Sequence, residues 1–256
     1  MKKQILLPIL NAIALFFTLV VNYLANALPI NGLATGEISD RFDVFFKPAG
    51  YAFSIWGLIY LGLLVFVIYQ FTPGRRAADS VSKIGPFFSL NCLANALWLL
   101  LWHFQLFTLS VAVMLAILIS LTKIYKNLEI GRSLVHPAVK WFVHFPFSLY
   151  LGWICVATIA NITIYLNWLT WDGFGISAKI WFGVVCLLGL VLSMTFAINH
   201  GDYTVTLVIL WAYVAVAVKN ADVAGVNTIS WIAAFLAVLP VGFALVKSRR
   251  AARSAF

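Results

Sequence analysis

Charge is what this sequence has least of. Only 10% of its 256 residues are Asp, Glu, Lys or Arg, while 63% are hydrophobic. Soluble domains carry about 25% charged residues, so a soluble globular fold is excluded. So is a soluble catalytic domain hidden within the chain. A membrane span needs about 20 apolar residues, and eight such stretches are expected, at 4–24, 50–71, 86–103, 106–124, 143–166, 178–198, 203–219 and 228–246. They predict an all-α, polytopic membrane helix bundle. None of the eight apolar cores holds Asp, Glu, Lys or Arg. Ion- and proton-coupled transporters usually carry such groups where the ion passes, and acid–base or nucleophilic catalysis needs a titratable group in the pocket. Ordinary enzymology is therefore disfavoured.

Cysteine is scarce too. Cys92, Cys155 and Cys186 all fall inside predicted spans, where they read as small apolar residues rather than a disulfide framework. No His, Cys or carboxylate pair has ligand-like spacing, so no metal site and no cofactor are expected. His144 reads as an interfacial residue near a helix end, and His136 as a loop residue. No G-x-S-x-G, H-E-x-x-H or phosphate loop is present.

The charge that does exist is one-sided. The formal net charge is +9, which invites a nucleic-acid reading until the charges are placed. With the N-terminus inside, thirteen of the seventeen basic residues fall on the inner side; only Arg41, Lys47, Lys179 and Lys219 fall outside. That asymmetry is the positive-inside signal, with some added attraction to anionic lipid. It predicts an integral protein of the cell (plasma) membrane with both termini cytoplasmic, the lipid bilayer as partner and no nucleic acid. Lys2, Lys3 and Ala25-Asn26-Ala27 imitate a signal peptide, but the apolar run from Ile5 to Val21 exceeds the usual 7–15 residues of such a signal. The first span is expected to stay.

Most connections are short. His103-Phe104-Gln105 reads as a tight outer hairpin and Asn199-His200-Gly201-Asp202 as a tight inner one. One outer connection, 29–50, is long and contains Phe45 and Phe46. Long loops in compact folds tend to be lids or disordered segments, and this one is expected to be a lid. Arg41 and Lys47 within it could pair with an anionic edge of a ligand.

Aromatic and amide residues repeat at helical spacing in three spans. The sets are Phe53, Trp56 and Tyr60; Asn95, Trp98 and Trp102; Trp153, Ala157 and Asn161. Each set lies on one helix face. At a rise of about 1.5 Å per residue, Tyr60 lies about 15 Å below the outer surface, Asn95 and Trp98 roughly 8–12 Å, and Asn161 about one turn. All three stripes thus converge on the outer half of the membrane, beneath the long loop. Trp102, Trp168 and Trp171 also fit interfacial anchors. Asn11 and Asn22 fit helix–helix glue, and Asn95 and Asn161 fit glue as well as a ligand site. An apolar pocket with a few amides suits a flat or greasy ligand held by area burial and stacking.

The same segments resemble the tryptophan-rich sensory protein / peripheral benzodiazepine receptor family (TspO/MBR). Its second helix opens with prolines, an aromatic and a Trp-x-x-x-Tyr pair; here the run is Pro48-Ala49-Gly50-Tyr51-Ala52-Phe53-Ser54-Ile55-Trp56-Gly57-Leu58-Ile59-Tyr60. Its third carries Asn-x-x-Trp and an aromatic, matched by Asn95, Trp98 and Trp102. Its fifth carries Trp-x-x-x-Ala-x-x-x-Asn, matched by Trp153, Ala157 and Asn161. Ala49 stands for the second proline, and Tyr51 for the following Trp. That family has five helices, so the resemblance implies a five-helix membrane domain over 1–167 and three additional helices over 168–256, a long divergent branch. It implies binding of a hydrophobic or tetrapyrrole-like ligand (porphyrin or sterol) for sensing or transport. Trp56, Tyr60, Asn95, Trp98 and Trp153 would line the pocket, with Tyr51 and Phe53 at its mouth and Asn161 orienting. It allows a homodimer. No Lys or Arg follows Tyr165 at the spacing of the family's cholesterol pattern. Two alternatives stand: a facilitator-type transporter of a small organic solute, and a light-dependent porphyrin-degrading enzyme.

Overall fold

The computed structural model describes residues 2–28 and 30–253. All regular structure among these residues is helical. In chain order the helices are α1 (Lys2–Ala27), α2 (Thr35–Asp40), α3 (Ile55–Tyr69), α4 (Arg75–Ile84), α5 (Phe87–His103), α6 (Phe107–Asn127), α7 (Pro137–Val139), α8 (Phe145–Trp168), α9 (Ala178–His200), α10 (Tyr203–Lys219), α11 (Val226–Leu236) and α12 (Val238–Arg253). A 3₁₀ turn, Gly50–Ser54, leads into α3. Six helical segments are long and apolar enough to cross a membrane, and α4 with α5 makes a seventh, bent by 55°. The eighth expected span is α10, apolar but only 17 residues long.

Two helices occupy segments that hydropathy leaves as connections. α2 lies in the long outer loop, and the Glu37 carboxylate closes its first turn by accepting from the Ala34 N–H at 2.7 Å. α4 is amphipathic. Ala77, Ser80, Val81 and Ile84 turn inward while Arg75, Arg76 and Lys83 stay outside, the pattern of a helix lying along an interface.

α7 and α8 form one continuous segment, Pro137–Trp168, joined by a π turn over Lys140–His144. Pro146 explains the turn. It has no N–H to offer an i−4 carbonyl and its ring crowds that position. The Phe145 N–H reaches back to the Lys140 carbonyl instead, which widens the helix ahead of the proline.

α8 is the central post, buried along most of its length and packed against α3, α6 and α10. α1 packs on α3 and α5. Exposed Ile13 and Phe16 on α1, and Leu187 and Val191 on α9, are the faces suited to acyl chains. Buried polar groups pair across helices. Asn11 donates to Gln70 Oε1 (3.0 Å) and accepts from Ser89 (2.7 Å), tying α1 to α5 and to the residue that ends α3. That agrees with Asn11 as glue.

The last three spans dock through α10. At Gly152 the helices meet so closely that a Cβ would lie 3.0 Å from Val208 Cβ and 3.2 Å from Val205 Cα. Small residues at such crossings let backbones approach where no hydrophobic effect drives helices together. Gly152→Val is expected to cost about 1–3 kcal/mol through overpacking. Gly183, where a Cβ meets nothing within 4 Å, should accept Val with little change. Thermal melting of the two variants in the same detergent checks this; equal melting temperatures would contradict the docking.

Candidate functional site

The outer loop is strapped down from both sides. His103, fully buried at the end of α5, holds its first part. One ring nitrogen, Nδ1, lies 2.9 Å from the Ile30 carbonyl, and the other, Nε2, 3.0 Å from Thr35 Oγ1. The His103 carbonyl accepts from Asn31 (3.0 Å), and Trp102 Nε1 donates to the Thr35 carbonyl (3.1 Å). The second part is held by α10 and its end. Lys219 pairs with Asp40 at 2.8 Å, and Asn220 donates to the Phe45 carbonyl at 3.0 Å. Phe42, Phe45 and Phe46 pack edge-on against Phe107, Phe182 and Tyr213. The loop therefore bridges the N-terminal and C-terminal parts of the bundle.

Lys47 corrects one expectation. Rather than facing a ligand, it is buried and donates to the Ser39 (3.2 Å) and Phe42 (2.9 Å) carbonyls, with Asp40 at 3.5 Å. Burial holds its pKa below the ordinary lysine value, partly opposed by Asp40. For Asp40, burial works against ionisation, but the hydrogen bond and charge of Lys219, and then Lys47, outweigh it and hold the carboxyl below its ordinary range.

Beneath this loop lies a cavity of about 60 Å³. Thr35, Ser39 and Pro48 form its roof; Phe53 and Trp56 come from the start of the second span, Trp98 and Trp102 from α5, and Trp153, Ala157, Ala160 and Asn161 from α8. The three stripes do share one hollow. The indoles of Trp98 and Trp102 stack at 5.7 Å. Opposite them, Trp153 meets Phe53 edge-on at 5.9 Å and Trp56 at 6.4 Å. Asn161 sits between α5 and α6: its Oδ1 accepts from Trp98 Nε1 (3.0 Å), and its Nδ2 donates to Ser110 Oγ (3.1 Å). Phe53, Trp56, Ala157 and Ala160 each keep part of their surface exposed, so the hollow is not sealed from outside the bundle.

One wall group is unusual. Trp153 is only 2% exposed, yet its Nε1 has no hydrogen-bond partner among the described residues. A buried donor without a partner costs about 1–3 kcal/mol. The cavity lining includes no Asp, Glu, His, Lys, Arg or Cys.

The remaining candidates lie apart from the lining. Tyr60 stacks under Trp56 at 5.3 Å, and its hydroxyl is also buried and unpartnered. Asn95 donates to Tyr150 (3.0 Å) and accepts from Asn22 (3.1 Å), linking α1, α5 and α8. Tyr51 is exposed and turns to Trp211 of α10, 5.3 Å away. Trp102, which also fitted an interfacial anchor, is 3% exposed and part of the wall. The periodicity i, i+4 from Trp98 was the signal for it. His103 had no comparable signal, because what it grips is mostly backbone.

Against known families, a model described as TSPO-like protein matches residues 8–246. No curated protein and no solved structure matches the chain. The family match runs from the first span into the last, so the chain as a whole belongs to the TSPO-like family.

Proposed function

We propose that this protein binds a flat, hydrophobic, tetrapyrrole-like ligand between the Trp98–Trp102 stack and the Phe53–Trp56–Trp153 wall, as a receptor for sensing or transport. The observation that carries the reading is the Trp153 indole N–H, buried without a partner among the described residues, on a side chain that lines the aromatic cavity. A ligand acceptor there would recover the lost hydrogen bond, and the surrounding rings would contribute stacking. Sites for drug-sized ligands are usually about 300–1,000 Å³. A cavity of about 60 Å³ takes one edge of such a ring system, so full entry requires the loop roof to lift.

A continuous path through the bundle is not supported. Below the cavity, Asn95, Tyr150 and Tyr60 are packed together, and Phe66, Phe88 and Phe147 form a solid cluster with ring centroids 5.1–5.8 Å apart. This favours a receptor over a facilitator. We assign residues 1–167 as the ligand-binding unit and 168–256 as a brace. The Asp40–Lys219 pair supports that division, since it ties the roof to the brace. The one-sided basic charge supports cytoplasmic termini, and we place the protein in the plasma membrane.

Three outcomes are expected. Trp153→Phe keeps a ring but loses the N–H, and should raise the porphyrin Kd roughly fivefold, for about 1 kcal/mol. Trp56→Leu and Trp98→Leu should weaken porphyrin binding further, read as the shift of its main visible absorption band, while the protein still melts cooperatively. Unchanged titrations in all three variants would remove the assignment.

The roof gives a second test. Asp40 has a folded pKa below its ordinary value of 3.8. Its contribution to holding the loop is therefore complete above that value and lost as pH falls through the lower folded value. Amide-exchange protection of residues 35–47 should hold steady down to about pH 4 and fall below it. Asp40→Asn should lower that protection already at pH 7 and speed porphyrin association. A loop equally protected in wild type and variant would contradict the strap.

A further inference from the structure

A larger cavity, about 490 Å³, lies at the opposite end of the bundle, where the basic residues cluster. It does not involve the aromatic site, and its reading is independent of the function proposed above. Three segments far apart in the chain build it: 130–148, the turn between α9 and α10, and the inner part of α12.

The walls are held firmly. The loop after α6 presses onto the α9–α10 turn at Gly131, which has φ +77°, and where a Cβ would collide with the His200 carbonyl oxygen. His200 Nδ1 is 2.9 Å from the Ile130 carbonyl. No other residue type fits that approach.

The chemistry of the lining is one-sided. Arg132, Lys140 and Lys247 face the cavity, and none has a carboxylate within ion-pair distance among the described residues. Lys247 donates to the Ile198 carbonyl, and Lys140 lies over the Tyr203 ring at 5.9 Å. The Arg132 side chain has no partner among the described residues. The one carboxylate in the wall is already saturated. Asp202 Oδ2 accepts from Tyr125 (2.8 Å) and Ser148 (2.6 Å), and Oδ1 from the Thr204 (2.9 Å) and Val205 (3.3 Å) backbone N–H groups. It is spent on capping α10, leaving an excess of positive charge.

His144 supplies the second, independent observation. It is 7% exposed, lines the cavity, and makes no hydrogen bond with any described residue. An imidazole carries at least one N–H donor, so a donor without a protein partner among the described residues lines the cationic hollow. Beside it, Trp141, Phe145 and Leu134 give apolar surface, and Trp141 and Leu134 are exposed at the rim. Basic pockets between transmembrane helices on the cytoplasmic side are suited to lipid head groups.

The geometry points to a binding site for a phosphate ester. The His144 N–H would meet a phosphate oxygen, Arg132 and Lys140 would supply charge, and Trp141 and Leu134 would cover the first carbons attached to it. That group can arrive on an inner-leaflet anionic lipid or on a soluble phosphate ester, and titration separates the two sources. Purified protein in a nonionic detergent is melted with increasing dioleoyl phosphatidylglycerol, dioleoyl phosphatidylcholine or glycerol 3-phosphate.

Phosphatidylglycerol is expected to raise the melting temperature saturably, with phosphatidylcholine far weaker. Arg132→Gln, an exposed loop position that should fold normally, should weaken the half-saturating concentration about tenfold. His144→Gln should weaken it as well. Arg76→Gln, a basic residue on the same side but outside the cavity, should leave it unchanged. Saturation by glycerol 3-phosphate alone, lost in Arg132→Gln, would support the site with a soluble ligand. Two results would overturn it: no saturable shift with any of the three, or equal loss in Arg132→Gln and Arg76→Gln, which would mean diffuse surface charge.

Discussion

Inside a bilayer a polar side chain has no water to turn to, so each donor and acceptor must find its partner within the protein. That constraint organises this bundle. Asn11 closes with Gln70 and Ser89; Asn95 with Tyr150 and Asn22; Asn161 with Trp98 and Ser110; Asp202 with Tyr125 and Ser148. Each closure joins different helices, so these pairs help to fix the register of the bundle alongside its aromatic packing. The exceptions are informative for the same reason. Among the described residues, Trp153 and Tyr60 are left unpaired at or just beneath the aromatic cavity. Asn91 Oδ1 and Ser193 Oγ are also unpaired among the described residues, away from either cavity, and nothing in the structure explains them.

The outer loop ties the roof of the aromatic cavity to both parts of the bundle. One half of it is tied to α5 through His103 and Trp102, the other to α10 through Asp40 and Asn220. Pro48, Ser39 and Thr35 then roof the cavity. Lifting the roof breaks contacts to both parts of the bundle at once. On the proposed reading, ligand entry would be coupled to how α10 sits against α8, where Gly152 leaves little slack. In the proposed receptor, the last three spans would hold the roof in its closed position.

The stripes were legible in the sequence because helical periodicity and positive-inside topology together fix face and depth. Phe53, Trp56, Trp98, Trp153 and Asn161 line one hollow for that reason. Asn95 illustrates the limit. It lies one turn from Trp98 on a shared face, yet it points into a network with Tyr150, because depth estimated to a turn cannot separate the cavity wall from the packing below. Tyr51, expected at the mouth, also meets Trp211 of α10 edge-on, a contact that no local pattern reveals. The straps were invisible because most are bonds to backbone carbonyls, such as those of Thr35, Phe42 and Phe45. The basic cavity was invisible because its lining is drawn from three distant segments. The charge of Lys47 alone suggests a ligand contact, whereas its neighbours in the loop determine where it turns.

The central claim is that the Trp153 indole N–H is the group a ligand meets. It is tested most directly by the indole region of the ¹H–¹⁵N spectrum of the ¹⁵N-labelled protein in detergent. The Trp153 signal is identified by its loss in the Trp153→Phe variant. On adding porphyrin it should move in the direction of a new hydrogen bond, by more than the Trp98 signal, whose N–H already bonds Asn161. A Trp153 signal that stays in place while absorbance shows the porphyrin bound would contradict the account.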